Sequence, residues 1–284
     1  MRKKVIDNPM NGLSFLYNNK FGRIILKFLV EKPFVSKLSG FILDRKISKI
    51  MIKPFIKANN INMDDFINTK YNSFNDFFVR KIKKEKRPIC KDNNSFIAPC
   101  DGKLTCYKIN SKTIFNIKNT LYDTSSLIKD DDLARKYSNG YALVFRLSPD
   151  DYHRYAFIDD GKIIKNYKIN GKFHTVNPIV YDKFEVFKEN TRQCTIIDTK
   201  NFGQIVQIEV GALLVGKIKN VVTSGIVKKA QEKGYFMYGG STIVVLVKKG
   251  IIKIDEEILT NSLDGFETYV KYGEKIADKI KKYN

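Results

Sequence analysis

The first candidate for chemistry is a serine that follows two glycines near the C-terminal end of the chain. Gly239 and Gly240 can take positive φ values and turn the backbone sharply, so we expect them to present Ser241 on an exposed Gly-Ser peptide. The β-branched run Ile243 to Val247 follows and predicts a buried strand. A glycine turn leading into a strand is common by itself, so Ser241 becomes a candidate only through its partners elsewhere.

A histidine and an aspartate are the partners that an activated serine needs. The chain has only two histidines, His153 and His174; His153 follows a predicted strand, and Asp101 stands in an Asp-Gly turn. The set Asp101, His153 and Ser241 would suit a Ser-His-Asp hydrolase, because that triad occurs in several chain orders. However, the Gly-x-Ser-x-Gly elbow of the α/β-hydrolases is absent.

A second pattern, a phosphate-binding loop, is matched only in part. Gly211 to Lys217 satisfies G-x-x-x-x-G-K, but Ile218 stands where the metal-binding hydroxyl belongs. A strand-like stretch follows where a helix N-terminus should receive the phosphates. We therefore reject a nucleotide site.

Composition bounds the remaining possibilities. The 284 residues can bury a full core, and 43% apolar with 12% aromatic residues exclude general disorder. The 51 basic and 30 acidic residues give a net charge of +21, which implies an anionic partner, either nucleic acid or a lipid surface. The four scattered cysteines fit neither a zinc site nor a disulfide framework and favour a reducing compartment. No apolar run is long enough to span a bilayer, and no signal peptide is recognisable.

The N-terminal region concentrates basic charge and predicts amphipathic helices. Residues 1–60 hold 13 Lys and Arg against 3 Asp and Glu. Phe21 to Leu29 has helical apolar periodicity with lysine and arginine opposite, and Ile47, Ile50 and Met51 predict a second such helix with Pro54 near its end. Two interpretations stay open: ordinary surface helices, or an interfacial pair with apolar sides in the acyl boundary and lysines on anionic headgroups.

The remaining patterns change from helical to strand-rich near residue 87. Ser73 and Asp76 predict a capping box, and the charge run Lys81 to Arg87 predicts a solvated linker and a domain boundary, which gives regions 1–87 and 88–284. Asp123 to Tyr137 is the best helix candidate in the second region. Strands are predicted in five stretches: Ile97 to Leu104 (as strand, turn, strand), Tyr141 to Leu147, Gly161 to Val176 (as a hairpin-like pair), Ile205 to Val215, and Ser241 to Lys248. The expected fold is α+β, a β-rich sandwich or barrel-like core with an N-terminal amphipathic helical region.

Six short motifs, taken in order, resemble one enzyme family. They are Phe74 to Lys81 (FNDFFVRK), Ala98 to Lys103 (APCDGK), Ser148 to Arg154 (SPDDYHR), Val210 to Gly216 (VGALLVG), and Gly240 to Thr242 (GST) with Gly265 to Thr268 (GFET) after it. Each is weak alone, but together they identify the chain as similar to bacterial phosphatidylserine decarboxylases, which are self-processing and pyruvoyl-dependent.

The resemblance implies that the triad first acts on its own backbone. His153, oriented by Asp101, removes the Ser241 proton, and Oγ attacks the Gly240 carbonyl. The ester then undergoes β-elimination, which frees a β chain of 1–240 from an α chain of 241–284. The dehydroalanine at position 241 hydrolyses to a pyruvoyl group and ammonia.

The resemblance also implies the reaction. Phosphatidylserine forms a Schiff base with the pyruvoyl group, loses CO₂ and leaves as phosphatidylethanolamine, with His153 as candidate proton donor and neither metal nor pyridoxal phosphate required. Many family members carry a second histidine where this chain has Ala156. Either His153 takes both roles or His174, a candidate substrate-site residue, takes one.

The implied partners are an anionic membrane, on whose cytoplasmic face the protein would lie peripherally, and the protein's own second chain, with a homodimer compatible. Two alternatives remain: a pyruvoyl decarboxylase of another aminoacyl phospholipid or amino acid, and a basic nucleic-acid-binding β-barrel protein.

Overall fold

The computed structural model describes residues 2–5, 40–67, 70–117, 120–172, 174, 185–211, 218–238 and 241–281. Three predicted features lie outside these residues: the helix from Phe21 to Leu29, the glycines Gly239 and Gly240, and the interior of the loop pattern from residue 212 to residue 217.

Short antiparallel strands make up most of the described chain. They are β1 (Lys4–Val5), β2 (Ser95–Ile97), β3 (Gly102–Lys108), β4 (Ile114–Ile117), β5 (Thr120–Asp123), β6 (Tyr141–Leu147), β7 (Arg154–Ala156), β8 (Gly161–Ile169), β9 (Arg192–Thr199), β10 (Gly203–Val210), β11 (Ile218–Asn220), β12 (Gly225–Val227), β13 (Glu232–Phe236), β14 (Ser241–Val247), β15 (Ile252–Ile254), β16 (Glu267–Val270) and β17 (Lys275–Lys279).

The described strands form one large sheet and three small ones. The large sheet has nine strands in the order β1-β16-β3-β6-β14-β10-β9-β8-β12, and the small ones are β11-β13-β7, β15-β17-β2 and β4-β5. The large sheet is open, with β1 and β12 at its edges, so the described strands form no closed barrel. The α+β, sheet-rich prediction is therefore confirmed, and the large sheet is open where the prediction allowed a barrel.

The large sheet is buried on both faces at its centre, which explains why β14 is apolar at every position from Ile243 to Val247. Every residue of β14 is buried, because alternate side chains enter two different cores. Val244 and Leu246 pack into the core on one face, whereas Ile243 and Val245 pack into the core on the other. β14 pairs with β6 on one side and β10 on the other.

Six α-helices are described: α1 (Ile52–Ala58), α2 (Phe74–Phe78), α3 (Thr124–Ile128), α4 (Asp131–Arg135), α5 (Val186–Glu189) and α6 (Glu256–Leu263). Short 3₁₀ turns add Lys46–Met51, Met63–Asp65 and Lys84–Lys86. The predicted N-cap of α2 is confirmed, because the Ser73 hydroxyl accepts a hydrogen bond from the Asp76 N–H at 3.1 Å. Asp76 accepts from the Asn72 N–H instead of closing a full capping box on Ser73.

Three local predictions need correction. The segment from Asp123 to Tyr137 is two helices, since Asp123 and Asp130 each cap a new one and Lys129 between them is left-handed. Gly161 to Ile169 is one strand, β8, paired with β9 and β12, while residues 173, 175 and 176 of the predicted hairpin-like pair lie outside the described residues. The strand, turn, strand prediction around Asp101 is confirmed, and the two strands belong to different sheets. Pro54 lies in the first turn of α1 and not near the end of the helix. Its missing N–H costs nothing there, because N–H groups in the first turn have no acceptor within the helix.

The N-terminal helical part packs on the β-rich part through an aromatic cluster. Phe74, Phe77 and Phe78 of α2 are fully buried, and the ring of Tyr238 lies 5.0 Å from that of Phe74. Tyr152, which comes two residues before the start of β7, completes the cluster. Hence α2 is fixed against the segment that leads into Ser241.

Candidate active site

Ser241 is the first residue of the central strand β14 and is completely buried. Its Oγ has no hydrogen-bond partner among the described residues. The prediction of an exposed serine is therefore wrong, because Ser241 pairs with Leu147 inside the large sheet and does not stand at an open corner. A buried hydroxyl without a partner is uncommon, since leaving one unsatisfied costs about 1–3 kcal/mol, and it marks Ser241 as a candidate reactive group.

Asp101 stands immediately before β3, at the same end of the sheet. Lys103 lies opposite Arg146 on β6, while Ser241 lies opposite Leu147 on the other side of that strand. Two strand spacings therefore separate Asp101 from Ser241, about 10 Å between backbones. The turn requires glycine, because a Cβ at Gly102 would lie 2.8 Å from the Arg146 carbonyl oxygen.

The buried Asp101 carboxylate is held by three donors. Arg87 donates from Nε to Oδ1 at 2.8 Å and from Nη2 to Oδ2. The Tyr272 N–H donates to Oδ1 at 2.8 Å. In the described structure no hydrogen bond joins Asp101 to His153, so the orienting role of Asp101 stays a prediction.

His153 is fixed as the tautomer that can act as a base. Its Nδ1 lies 2.9 Å from the Asp151 carbonyl oxygen. Because a carbonyl only accepts, Nδ1 carries the proton and Nε2 keeps its lone pair. Nε2 is buried and has no hydrogen-bond partner among the described residues.

The surroundings of His153 keep the imidazole neutral. Burial, and then the positive charges of Arg80 and Lys103, lower the pKa of His153 to about 3. Its ring lies 4.1 Å from the ring of Phe78, and its carbonyl accepts the Phe236 N–H at 3.0 Å. A neutral imidazole with a free lone pair has the form that a general base needs before reaction.

A buried ion pair supports the loop that carries His153. Lys103 Nζ lies 2.7 Å from Asp151 Oδ2, which also accepts the Ser148 N–H at 2.6 Å. Burial raises the pKa of Asp151 to about 6, opposed by Lys103. These bonds hold the turn after β6, and the Asp151 carbonyl in turn fixes the imidazole.

His153 and Ser241 are brought towards each other through α2. The Phe78 ring contacts both the His153 ring and, at 5.2 Å, the ring of Tyr238. Tyr238 is three residues before Ser241, and its N–H donates to the Asn75 side chain at 3.3 Å. The residues predicted from three distant stretches therefore converge on one end of the sheet.

His174 lies at the same end, on the other side of Ser241. It is buried, and its main chain is held by the Asn190 side chain, which accepts from the His174 N–H at 2.9 Å and donates to the His174 carbonyl at 2.7 Å. The Asn190 amide also donates to the Gly211 carbonyl at 2.8 Å. Gly211 directly follows Val210, which pairs with Thr242, so Asn190 joins the His174 segment to the end of β10 beside Ser241.

A second buried ion pair lies on the Ser241 face of the sheet. Glu209 lies opposite Ile243 and is therefore a diagonal neighbour of Ser241 on that face. It binds Lys233 Nζ at 2.6 Å and Asn220 Nδ2 at 3.1 Å, and both charged side chains are completely buried. Sequence analysis missed this pair because neither partner lies in a recognisable motif of charges and the partners are 24 residues apart.

Sequence analysis also missed the role of Arg87. The run Lys81 to Arg87 was predicted to be a solvated linker, but the Arg87 side chain is only 10% exposed and pairs with Asp101. The prediction is wrong for Arg87, because the chain turns inward at the end of the run. Asp101, His153 and Ser241 gave a usable signal, since each lies in a quoted motif.

The comparisons with known proteins agree on one family. The family model for phosphatidylserine decarboxylase matches residues 74–278. A phosphatidylserine decarboxylase proenzyme 2 of Clostridium acetobutylicum is 47% identical over 94% of this chain and 92% of its own. Proenzymes of the same name from Clostridium botulinum strain Langeland and Clostridium novyi are 43% and 41% identical, over 94% and 95% of this chain and 92% and 93% of their own. With this match over nearly its whole length, the chain belongs to the phosphatidylserine decarboxylase family.

Proposed function

We propose that this protein is a self-processing decarboxylase that converts phosphatidylserine to phosphatidylethanolamine and CO₂. The observation that carries the proposal is the buried, unpartnered Ser241 Oγ at the end of the sheet where His153 and Asp101 also lie. Relatives named as proenzymes support maturation by cleavage, here between Gly240 and Ser241. Family membership favours this enzyme over a nucleic-acid-binding protein.

The residues present fit a pyruvoyl group derived from Ser241. The hydroxyl that must attack the preceding carbonyl is buried and makes no competing hydrogen bond within the described chain. When formed, the pyruvoyl group supplies a ketone that takes the substrate amine and accepts the electrons released as CO₂ leaves.

The chain's own residues supply the proton transfers. His153 Nε2 takes the Ser241 proton during maturation, while the Asp151 carbonyl holds the Nδ1 proton. Asp101, fixed by Arg87, adds negative charge at the same end of the sheet and stabilises the imidazolium that forms. In the mature enzyme the same imidazole is placed to return a proton to the substrate carbon, a role for which His174 is the alternative.

The mass of the purified protein tests the proposal. We expect two chains, 1–240 and 241–284, the smaller without a free N-terminal amine, and release of CO₂ from phosphatidylserine. Ser241→Ala should give one uncut, inactive chain, because the nucleophile and the cofactor precursor are both gone. Ser241→Cys should still cut, but slowly.

Thr242→Val is the matched control. Thr242 also carries a buried hydroxyl without a partner among the described residues, but it points to the opposite face of β14. The Thr242→Val protein should be cleaved like the wild type. Two fragments from Ser241→Ala would show that Ser241 is not the nucleophile, and cleavage without decarboxylation of phosphatidylserine would contradict the substrate.

We also propose that the segment from Phe41 to Lys57 lies on an anionic membrane at its cytoplasmic face. The segment exposes apolar side chains that a folded core would normally cover, led by Ile47 (71%) and Ile50 (75%). It also exposes basic side chains, namely Arg45, Lys46, Lys49, Lys53 and Lys57. None of the described helices has both the length and the apolar character needed to cross a membrane.

The two chains should remain together after cleavage. The α chain contributes β14 to the middle of the large sheet and β16 near one edge. The N-terminal strand β1 pairs with β16, and Arg2 binds Asp255 at 2.9 Å and Glu274 at 2.6 Å, both in the α chain. These contacts support a heterodimer of the protein's own β and α chains.

A further inference from the structure

Arg80, directly after α2, is a buried cation with few partners of its own. It is 2% exposed, and its guanidinium carbon lies 4.3 Å from the ring centre of Phe66 and 4.9 Å from that of Phe77. Its two hydrogen bonds are long, 3.4 Å each, to the carbonyls of Phe78 and Asp150. Its Nε has no partner within the described chain.

The other buried basic side chains of the described structure have either a carboxylate partner or several short hydrogen bonds. Lys103, Arg146 and Lys233 each form an ion pair with a carboxylate. Arg192 donates four hydrogen bonds to main-chain carbonyls, at 2.6 to 3.0 Å. A buried charge is costly unless it is paired or fully hydrogen-bonded, so an added anion would stabilise the Arg80 guanidinium.

The acidic groups near Arg80 do not fill this role. Asp101 uses both of its oxygens on Arg87, and Asp150 contributes its main-chain carbonyl. Burial lowers the pKa of Arg80 to about 10, so the guanidinium is still charged at neutral pH. Positive charge with unused donors therefore remains at Arg80.

The Tyr71 hydroxyl is a second unused donor in this region. It is buried and has no hydrogen-bond partner among the described residues. Its ring lies 5.4 Å from the ring of Phe77, the same ring that Arg80 contacts. An anion with several acceptor oxygens would satisfy both groups, as phosphate oxygens do.

Arg80 lies between the proposed membrane-facing segment and the reactive end of the sheet. Phe55 of α1 packs against the rings of Phe77 and Phe78 at 6.0 and 6.1 Å. The other side of Phe78 meets His153, and the charge of Arg80 helps to lower the pKa of that histidine. A lipid whose tails lie at the membrane and whose headgroup reaches Ser241 would place its phosphodiester near Arg80.

Phosphatidylserine carries two anionic groups, and the chemistry distinguishes them. A cation paired with the carboxylate would stabilise the ground state and oppose the loss of CO₂, whereas a cation paired with the phosphodiester is equally useful before and after reaction. We propose that Arg80, with the Tyr71 hydroxyl, binds the phosphodiester of the lipid substrate. This inference rests on the proposed function.

Dihexanoyl-phosphatidylpropanol is the probe, because it keeps the phosphodiester and lacks both the amine and the carboxylate. We expect Arg80→Met in the mature enzyme to raise the Kd of this probe, measured by calorimetry, at least tenfold. The KM for dihexanoyl-phosphatidylserine should rise by a similar factor with kcat within about threefold of the wild type. Tyr71→Phe should raise both values by a smaller factor.

Arg135→Met is the control, since it removes an exposed arginine from α4 and should change neither value. If Arg80→Met does not mature or fold, Arg80→Lys replaces it: it keeps the charge but loses the planar fork, and an intermediate rise in the probe Kd supports the proposal. A probe Kd within twofold of the wild type for every Arg80 variant that folds overturns it.

The remaining outcomes are also decisive. If the KM for phosphatidylserine rises while the probe Kd does not change, Arg80 binds the carboxylate and the proposal is wrong. If the wild type binds the probe but does not decarboxylate phosphatidylserine, the proposed function fails while the phosphodiester site stands.

Discussion

At the scale of single residues, the chemistry of His153 follows from one main-chain contact and from its burial. The Asp151 carbonyl fixes the proton on Nδ1, and burial, followed by the charges of Arg80 and Lys103, lowers the pKa of His153 and keeps Nε2 unprotonated. His153 Nε2 is therefore available as a base although no aspartate side chain is hydrogen-bonded to the imidazole ring in the described structure. It also makes a measurable contribution to the dependence of stability on pH.

The first prediction concerns this pH dependence in the uncut Ser241→Ala protein. The pKa of His153 is about 3 in the folded state, and its ordinary value is about 6.5. Below pH 6.5 the unfolded chain therefore takes up a proton that the folded chain does not, so stability falls as the pH falls. Between pH 7 and pH 4 the Ser241→Ala protein should lose about 3 kcal/mol more unfolding free energy than its His153→Gln variant, measured by urea denaturation.

The titration of Asp151 changes stability in the opposite direction, and its contribution cancels when the two proteins are compared. Its raised pKa, about 6, means that its contribution to stability weakens as the pH rises through that value, but it is present in both proteins. Equal acid sensitivity of the two proteins would show that His153 is accessible to protons in the folded state.

The second prediction separates two roles for Asp101. Asp101→Asn should slow self-cleavage at least about tenfold, because an amide cannot stabilise an imidazolium. Arg87→Met should lower the unfolding free energy but leave the cleavage rate within about threefold of the wild type, since the carboxylate remains with the Tyr272 N–H. The rates are followed by intact mass. If both substitutions slow cleavage equally, Asp101 acts only by pairing with Arg87.

At the scale of elements, one buried ion pair joins a small sheet to the large one. Glu209 belongs to β10 in the large sheet, while Lys233 belongs to β13 in a three-stranded sheet. Burial raises the pKa of Glu209 and lowers that of Lys233, and each charge is stabilised by the other. Such a pair fixes the position of β13, which leads through Phe236 to the segment before Ser241.

The third prediction tests this coupling in the Ser241→Ala protein. Lys233→Met should cost about 3 kcal/mol of unfolding free energy at pH 8, because it leaves the Glu209 carboxylate buried and unpaired. The cost should be smaller at pH 5, since the unpaired carboxyl, with its pKa raised further, takes up a proton. The double variant Glu209→Gln with Lys233→Met should recover most of the loss, because it removes both charges and keeps an acceptor for Asn220. A double variant as unstable as the sum of both single variants would show that the two charges do not interact.

At the scale of the whole molecule, the exposed apolar side chains of the described residues are most concentrated in one segment. Leu121, Ile226 and Leu263 stand apart, each in a different element or loop, whereas Phe41, Ile42, Ile47, Ile50 and Met51 are close together in the chain. The same segment carries exposed basic side chains. This combination is the basis of the membrane proposal.

The fourth prediction compares these two sets of residues. Replacing Phe41, Ile47 and Ile50 with Ser should weaken binding to vesicles that contain anionic lipid at least tenfold, because each buried apolar side chain contributes about 1.5–3 kcal/mol. Binding of the wild type should weaken with salt as the Debye length falls from about 10 Å at 0.1 M to about 3 Å at 1 M. Vesicle sedimentation at several salt concentrations measures both effects.

The matched control replaces Leu121, Ile226 and Leu263 with Ser. These residues are 59%, 77% and 80% exposed, and the control should bind vesicles like the wild type. Self-cleavage should be normal in both triple variants, since every replaced side chain is exposed. Equal loss of binding in the two triple variants would contradict a specific membrane-facing segment.

The sequence by itself determined the α+β class and several strands, and it supplied the candidate site residues. Tyr141 to Leu147 was predicted with the observed bounds, and β14 within one residue, because a β-branched apolar run between turn residues has few other stable conformations. Ser241, His153 and Asp101 could be proposed as candidates because turn glycines, scarce histidines and short motifs are local features. Local features are what a single sequence displays.

Only the tertiary structure decided how those residues are paired. That Arg87 meets Asp101, that Lys103 meets Asp151 and that Glu209 meets Lys233 depends on strand order and register, which bring together residues 14, 48 and 24 positions apart. The same packing turned a predicted exposed serine into a buried one and left Arg80 without a paired carboxylate. Burial and charge pairing arise from contacts between distant segments, and a linear pattern does not contain them.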